Sequence, residues 1–316
     1  MSPSVSIVIP SLFDEALFEK SIPPLVAEVE RRGANDEILV VDDTGEGLVE
    51  PWMKERYPTV RVLTRAENGG YAKALLDGVE SSRSELVFCM NPDVVVHEGF
   101  LEPLIEALGD DVHSTVPQIL LHGDADRIES VTEIRTRAGL SEVGQPGLEG
   151  RADEFRSETI PVAYPIGGAC LLRRASFLES GGYDPLFEPF YWEDVDLGWR
   201  AWRAGERVLY VPTSIVEHHH RGTIKGRVRD QVVRAAIEKN RLLFQWKYLD
   251  SEDEIREHLT ALYRWTFDAW LRDEREELIW LAMALDQLDE ARRTRESLPE
   301  GGLEFGEIQR RTSIED

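Results

Sequence analysis

Residues 4–10 read Ser4-Val5-Ser6-Ile7-Val8-Ile9-Pro10, and residues 37–43 read Glu37-Ile38-Leu39-Val40-Val41-Asp42-Asp43. Both are short β-branched runs without polar alternation, the pattern of strands buried on two faces, and they stop at a proline and at an acid pair. Between them, Ser21 to Arg32 carries Ile22, Leu25, Val26 and Val29 at helical spacing, with Pro23 and Pro24 read as first-turn residues. Further strands are expected at Val60 to Leu63 and Glu85 to Met90, with a helix over Tyr71 to Ser81 between them. Strand and helix alternate through the first hundred residues or so, which predicts an α/β fold on a mostly parallel, doubly wound sheet flanked by helices.

Downstream, the stretch from about His122 to Thr159 is rich in Gly, Glu, Arg and Asp with weak periodicity, and reads as a long excursion on one face of the sheet. Regular structure resumes at Val162. Tyr164-Pro-Ile-Gly-Gly-Ala-Cys-Leu-Leu172 reads as a strand entered through a glycine turn, and Val208 to Val211 as another. After Arg227 the pattern is helical: Ile255, Leu259, Leu262, Thr266 and Trp270 share one face, and Leu278, Leu281, Leu285 and Leu288 another. The expected organisation is therefore an α/β domain over residues 1–226 and an amphipathic helical appendage over 227–316, frayed from Pro299. Trp246, Trp265, Trp270 and Trp280 in that appendage are read as core packing or a homodimer contact, with a peripheral membrane surface as the other assignment.

The 316 residues, 42% hydrophobic, suffice for a sizeable core, and no run approaches a membrane-spanning length. The start lacks the pattern of an export signal, so a cytoplasmic location is expected. Cys89 and Cys170, each in an apolar run, are expected to be reduced core residues. Acidic residues outnumber basic ones 60 to 36, for a formal charge of −24, which argues against nucleic acid as a partner. Few of the basic residues are lysines. The balance suggests adaptation to high internal salt, where repulsion across an acidic surface is screened; unchanged stability between low and molar KCl would refute it.

In open parallel sheets, ligands bind beyond the carboxyl ends of the strands. Polar groups stand at four such places: Ser11, Asp42 with Asp43, Asn91 with Asp93, and Glu193 with Asp194. Carboxylates gathered at one edge repel one another, and a divalent cation, Mg²⁺ or Mn²⁺, resolves that repulsion.

The ordered motifs Ser6-Ile-Val-Ile-Pro-Ser11, Val40-Val-Asp-Asp43, Asn68-Gly-Gly-Tyr-Ala72, Asn91-Pro-Asp-Val94, Gly167-Gly-Ala-Cys-Leu-Leu-Arg-Arg174, and Gly182-Tyr-Asp184 with Trp192-Glu-Asp-Val-Asp-Leu197 resemble the inverting family 2 glycosyltransferases of GT-A fold. The likeness is strongest to their rhamnosyltransferase-like branch. It implies that Pro10 and Ser11 line a base pocket and that Asp42 and Asp43 contact base and ribose, the alternative for the two acids being a turn cap. Asn68 and Gly70 would let the backbone approach the ligand, or simply start a helix. The family's usual asparagine further on is a leucine here, at 75 or 76.

The resemblance makes Asp93 the ligand of the divalent ion, against a turn-capping role. Asn91 would be a weaker ligand or a ribose contact. His218 would complete the metal shell, with His220 as second choice. Asp194 would be the general base, Glu193 would position base or acceptor, and Asp196 would pair with Arg200. A loop through Arg221, Thr223 and Lys225 would close over the diphosphate.

The function so implied is metal-dependent inverting transfer of a sugar from a nucleoside-diphosphate-sugar to a hydroxyl of a glycan or lipid-linked saccharide, for a lipid acceptor at the inner face of the membrane. A sugar-phosphate nucleotidyltransferase would carry a glycine- and basic-rich loop after the first strand, where this chain has Ser11-Leu-Phe-Asp-Glu15. A catalytically degenerate protein that binds a nucleotide sugar or glycan is the remaining alternative.

Overall fold

The computed structural model describes residues 2–144, 151–219, 229–274 and 278–314. Strands β1 (Val5–Ser11), β2 (Glu37–Asp42), β3 (Arg61–Thr64) and β4 (Leu86–Met90) run parallel, linked through helices α1 (Glu15–Arg32), α2 (Val49–Arg56) and α3 (Tyr71–Ser81). There follow β5 (Val94–Val96), α4 (Leu101–Ala107), β6 (Val112–Leu121), β7 (Asp124–Ile128), the separate hairpin of β8 (Glu133–Arg137) and β9 (Leu140–Gly144), and β10 (Ile160–Pro161). Next come β11 (Ala169–Arg173), α5 (Arg174–Glu179), α6 (Glu193–Arg203) and β12 (Arg207–His218). The main sheet has the order β10-β12-β6-β11-β4-β1-β2-β3, with β5 beside the end of β12 and β7 beside β6.

The strand assignments follow from burial. Every residue of β1 and β4 is withdrawn from water, and so are all but the first of β2. The sheet is the mostly parallel one expected, with β11 running antiparallel between β4 and β6. Cys89 and Cys170 face each other across β4 and β11 as free, buried thiols.

Three expectations need correction. Helix α1 begins at Glu15 rather than Ser21, because the Asp14 carboxylate accepts the Leu17 N–H at 3.2 Å and caps it there. Pro23 and Pro24 then fall inside the helix, with Pro23 exposed and Pro24 partly so. The carbonyls of Glu19 and Lys20, which lose their usual donors, belong to exposed residues that water reaches. The excursion after His122 contains β7, β8 and β9, whose shortness hides any period.

The third correction concerns the helices that follow: α7 (Asp230–Tyr248), α8 (Glu252–Leu271), α9 (Ile279–Asp286), α10 (Leu288–Glu296) and α11 (Phe305–Thr312). Helix α7 shares the main core, with Leu242, Leu243, Phe244 and Tyr248 packed among Trp192 and Trp199. The end is docked rather than frayed from Pro299, since Phe305 lies on Trp199 at 4.9 Å between ring centres. Across these helices the apolar residues divide: Trp280 is buried and Trp246, Trp265, Leu262 and Leu281 pack against the core as expected, with Trp265 on Trp280 at 4.4 Å, whereas Leu259 (60% exposed), Trp270 (61%) and Leu285 (52%) turn outward. No helix among the described residues is long and apolar enough to cross a membrane.

Candidate active site

The carboxyl ends of β1 and β2 stand in register, Pro10 beside Val41 and Ser11 beside Asp42, and the Asp43 N–H donates to the Ser11 carbonyl at 2.9 Å. Asp42 is fully buried. One of its oxygens accepts from the Thr44 N–H (3.0 Å) and hydroxyl (2.6 Å), the other from the Val49 N–H (2.9 Å) at the start of α2. Asp43 organises the next loop: its carboxylate accepts from the N–H groups of Gly69 (2.9 Å) and Gly70 (3.0 Å) and from Arg65, while Asn68 donates to its carbonyl at 2.9 Å. Gly70 has φ +81°, a conformation side chains disfavour, so a glycine is needed where α3 begins.

At the end of β4, Asn91 donates its N–H to the Gly168 carbonyl at 2.8 Å. A Cβ on Gly168 would lie 2.4 Å from the Asn91 amide nitrogen, so residue 168 must be glycine for Asn91 to keep its place. Asp93 and His218 come together, Oδ2 to Nε2 at 3.3 Å. A residue the sequence reading missed, Glu129, grips the other ring nitrogen of His218 at 2.7 Å. Burial disfavours the imidazolium, but the hydrogen bonds to these two carboxylates outweigh it and lift the His218 pKa to about 9. His220 and the 221–225 segment lie outside the described residues.

Glu193 and Asp194 open α6. The residues before the helix, Tyr191 (φ 68°) and Trp192 (φ 77°), take left-handed conformations that turn the acids toward the glycine pair preceding β11. Asp194 accepts from the Gly167 N–H at 3.2 Å and the Val195 N–H at 2.9 Å. Burial raises its pKa and those two N–H groups hold it back. Glu193 is pushed up to about 8 by burial and by the charge of Asp194. Among the described residues its Oε2 is buried without a hydrogen-bond partner. Tyr71 donates to the Gly167 carbonyl at 2.5 Å, and the Tyr183 hydroxyl, without a partner among the described residues, lies beside the same glycine.

Asp196 points away from this group. Fully buried, it pairs with Arg200 at 2.9 Å as expected, and also with Lys247 and the Tyr248 hydroxyl at 2.6 Å each, which ties α6 to α7. Neither tyrosine nor Glu129 was named by the sequence reading, although Tyr71 and Tyr183 lie within its quoted motifs. A carboxylate far along the chain, at the end of a strand without period, leaves no local signal.

The sequence model described as Glycosyl transferase family 2 matches residues 6–181, more than half of the chain. The chain belongs to glycosyl transferase family 2. This family 2 chain is 31% identical over 203 residues to N-acetylglucosaminyl-diphospho-decaprenol L-rhamnosyltransferase of Mycobacterium tuberculosis, over 58% of its own length and 66% of that protein. It is 28% identical over 199 residues to polypeptide N-acetylgalactosaminyltransferase 6 of Bos taurus, where the match spans 58% of this chain and 32% of the relative. It therefore spans a third to two thirds of the length of these relatives. Among solved structures, GalNAc-T7 with UDP, GalNAc and Mn²⁺ superposes with a TM-score of 0.62 at 18% identity, over 79% of this chain and 48% of that one. The mannosyltransferase PcManGT of Pyrobaculum calidifontis, with GDP-Man and Mn²⁺, gives 0.53 at 14% identity over 95% and 77%. The fold is that of these GT-A glycosyltransferases.

Proposed function

We propose that this family 2 chain is an inverting glycosyltransferase that moves a sugar from a nucleoside-diphosphate-sugar to a hydroxyl of a glycan or lipid-linked saccharide. The observation that carries the reading is the hold of the glycine pair on Asp194 at one side and on Asn91 at the other. Asp194 accepts the Gly167 N–H, and the carbonyl of the following residue, Gly168, accepts from the Asn91 N–H, so the proposed acceptor and donor sides share one turn.

Asp93 and His218, with Glu129 behind the imidazole, would hold a divalent ion, one through a carboxylate oxygen and the other through an imidazole nitrogen that gives up its proton on binding. Mg²⁺ or Mn²⁺ bound there would supply positive charge to offset that of the departing diphosphate. Asp194 removes the proton from the acceptor hydroxyl as its oxygen attacks the anomeric carbon opposite the diphosphate, so one carboxylate suffices and configuration inverts. Repulsion between the two neighbouring acids favours one retained proton on the pair, and with that proton on Glu193 the Asp194 carboxylate can act as the base. On the donor side, Pro10, Ser11 and Asp43 line the nucleoside, Asp42 shapes the turn beneath it, Asn68 and Gly70 bring backbone to the ligand, and Asn91 faces the ribose.

The outward apolar faces of α8 and α9 support a lipid-linked acceptor and peripheral contact with a membrane surface. The flanking arginines pair with acids, Arg256 with Asp253 and Arg272 with Glu274, so attraction to a bilayer would be apolar rather than ionic. The relative whose name includes a diphospho-decaprenol acceptor is consistent with that.

The test is release of nucleoside diphosphate from a panel of sugar donors with Mn²⁺ and a lipid-linked or glycan acceptor. Asp194→Asn should lower turnover by about 10²–10⁴-fold and leave nucleotide affinity within about threefold. Equal turnover in the variant refutes the base assignment, and no turnover by the native chain on any donor favours a binding protein.

A further inference from the structure

Alternation along β12 places Glu217 and His219 on the face opposite His218. On that face they meet His122, at the turn between β6 and β7. The His122 Nδ1 lies 3.0 Å from Glu217 Oε2, and the His219 Nε2 lies 3.6 Å from the same oxygen. The two imidazoles stack with centres 3.8 Å apart, so an ion held by both would turn one ring out of the stack to aim its in-plane lone pair at the shared point. All three donor atoms fall within 4.8 Å of one another. Metal–ligand bonds of about 2.1 Å in a tetrahedron separate neighbouring donors by roughly 3.4 Å, and the observed spacings bracket that value.

The backbone fixes the positions from which these side chains extend. The His122 N–H donates to the His218 carbonyl at 3.0 Å, and the His219 N–H to the Asp93 carbonyl at 2.8 Å, so the residues are delivered by the ends of adjoining strands. From the far side, His97 Nε2 lies 3.2 Å from the other oxygen of Glu217, the kind of outer partner that orients a ligating carboxylate. Nothing in the proposed transfer reaction uses these four residues.

We propose that His122, Glu217 and His219 form a second divalent-metal site, of the imidazole-rich kind that takes Zn²⁺. It is distinct from the Asp93–His218 pair that the transfer reaction calls on. Two nitrogen donors and one carboxylate favour Zn²⁺ over the oxygen-seeking Mg²⁺ and Mn²⁺. Three protein ligands leave a fourth position for water or a further ligand. An ion there would join the β6–β7 turn to the end of β12, one strand face away from the His218 imidazole.

The experiment uses the full chain, stripped with chelator, carrying Asp93→Ala so that the other centre is disabled, and titrated with Zn²⁺ by calorimetry. Co²⁺ absorption reports the ligand field. One Zn²⁺ should bind, with affinity reduced at least about tenfold by His122→Ala and by His219→Ala, and less by His97→Ala. His122 sits at an exposed turn, so its removal leaves the fold intact, which far-ultraviolet circular dichroism verifies. Absence of Zn²⁺ binding in the Asp93→Ala chain, or binding indifferent to both histidine changes, overturns the proposal.

Discussion

Glu193 and Asp194 are two neighbouring, half-buried carboxylates. The folded chain lifts the Glu193 pKa from its ordinary 4.5 to about 8, through burial first and the Asp194 charge second. Between those values the folded state keeps a proton that the unfolded state releases, so unfolding free energy falls as pH rises through the window. Glu193→Gln removes the titrating group. Urea unfolding from pH 5 to pH 8.5 should show a decline in the native chain that is flatter in the variant, by on the order of a few kcal/mol across the range. Coincident slopes would mean that Glu193 is already ionised at neutral pH. These two acids were legible in the sequence because they sit in one short motif at a helix start. Glu129 and Tyr183 were not, because their partners His218 and Gly167 are brought to them by folding. Asp42 was legible as a strand-end acid, but its commitment to Thr44 and Val49 depends on the path of the following turn.

At the level of elements, α7 acts as a clamp on the loop that delivers the acids. The buried Asn240 amide donates to the carbonyls of Phe187 (2.7 Å), Phe190 (3.0 Å) and Tyr191 (2.8 Å), and Lys239 donates to that of Glu188 at 2.7 Å. Asn240→Ala leaves those carbonyls without their buried donor and should destabilise the chain by about 1–3 kcal/mol. Turnover at saturating donor should fall more than the folded fraction does, with nucleotide affinity unchanged; parallel loss of both would make Asn240 a matter of stability alone. Helix α7 was legible as a helix, whereas its grip on the 187–191 loop was not, since that depends on left-handed residues no periodicity encodes. Periodicity also identified α8, whose Leu262 and Trp265 do pack against the core, but it could not separate them from Leu259, Phe267 and Trp270, which face outward as a stripe. If that stripe meets a bilayer, the chain should sediment with phosphatidylcholine vesicles in molar KCl. A Phe267→Glu and Trp270→Glu double change should then lower the bound fraction about fivefold or more. Failure of the native chain to bind removes the membrane reading.

For the whole molecule, the dominant quantity is the formal charge of −24. At low ionic strength this charge repels itself over about 10 Å or more, and at 1 M salt over about 3 Å. Salt should therefore raise Tm between 0.1 M and molar KCl, by roughly 2–4 °C for each kcal/mol of repulsion removed. A flat melting temperature would leave the composition an ordinary acidic one. Composition alone carried this expectation, just as β-branched runs carried the parallel half of the sheet. The mixed half, where β11 enters antiparallel and β7 to β9 are short, depends on pairings between distant segments.

The ends of the sheet have a consequence for assembly. One end of its path is β10, two residues closing on Pro161, which has no N–H to offer, and the other is β3, four residues beginning at Arg61, whose guanidinium pairs with Glu37. A neighbouring chain thus finds no long template at either margin on which to add a strand. When molar salt drives apolar surfaces together, copies of this protein would meet helix to helix, by reversible clustering, and would not grow into fibrils by strand addition at these margins.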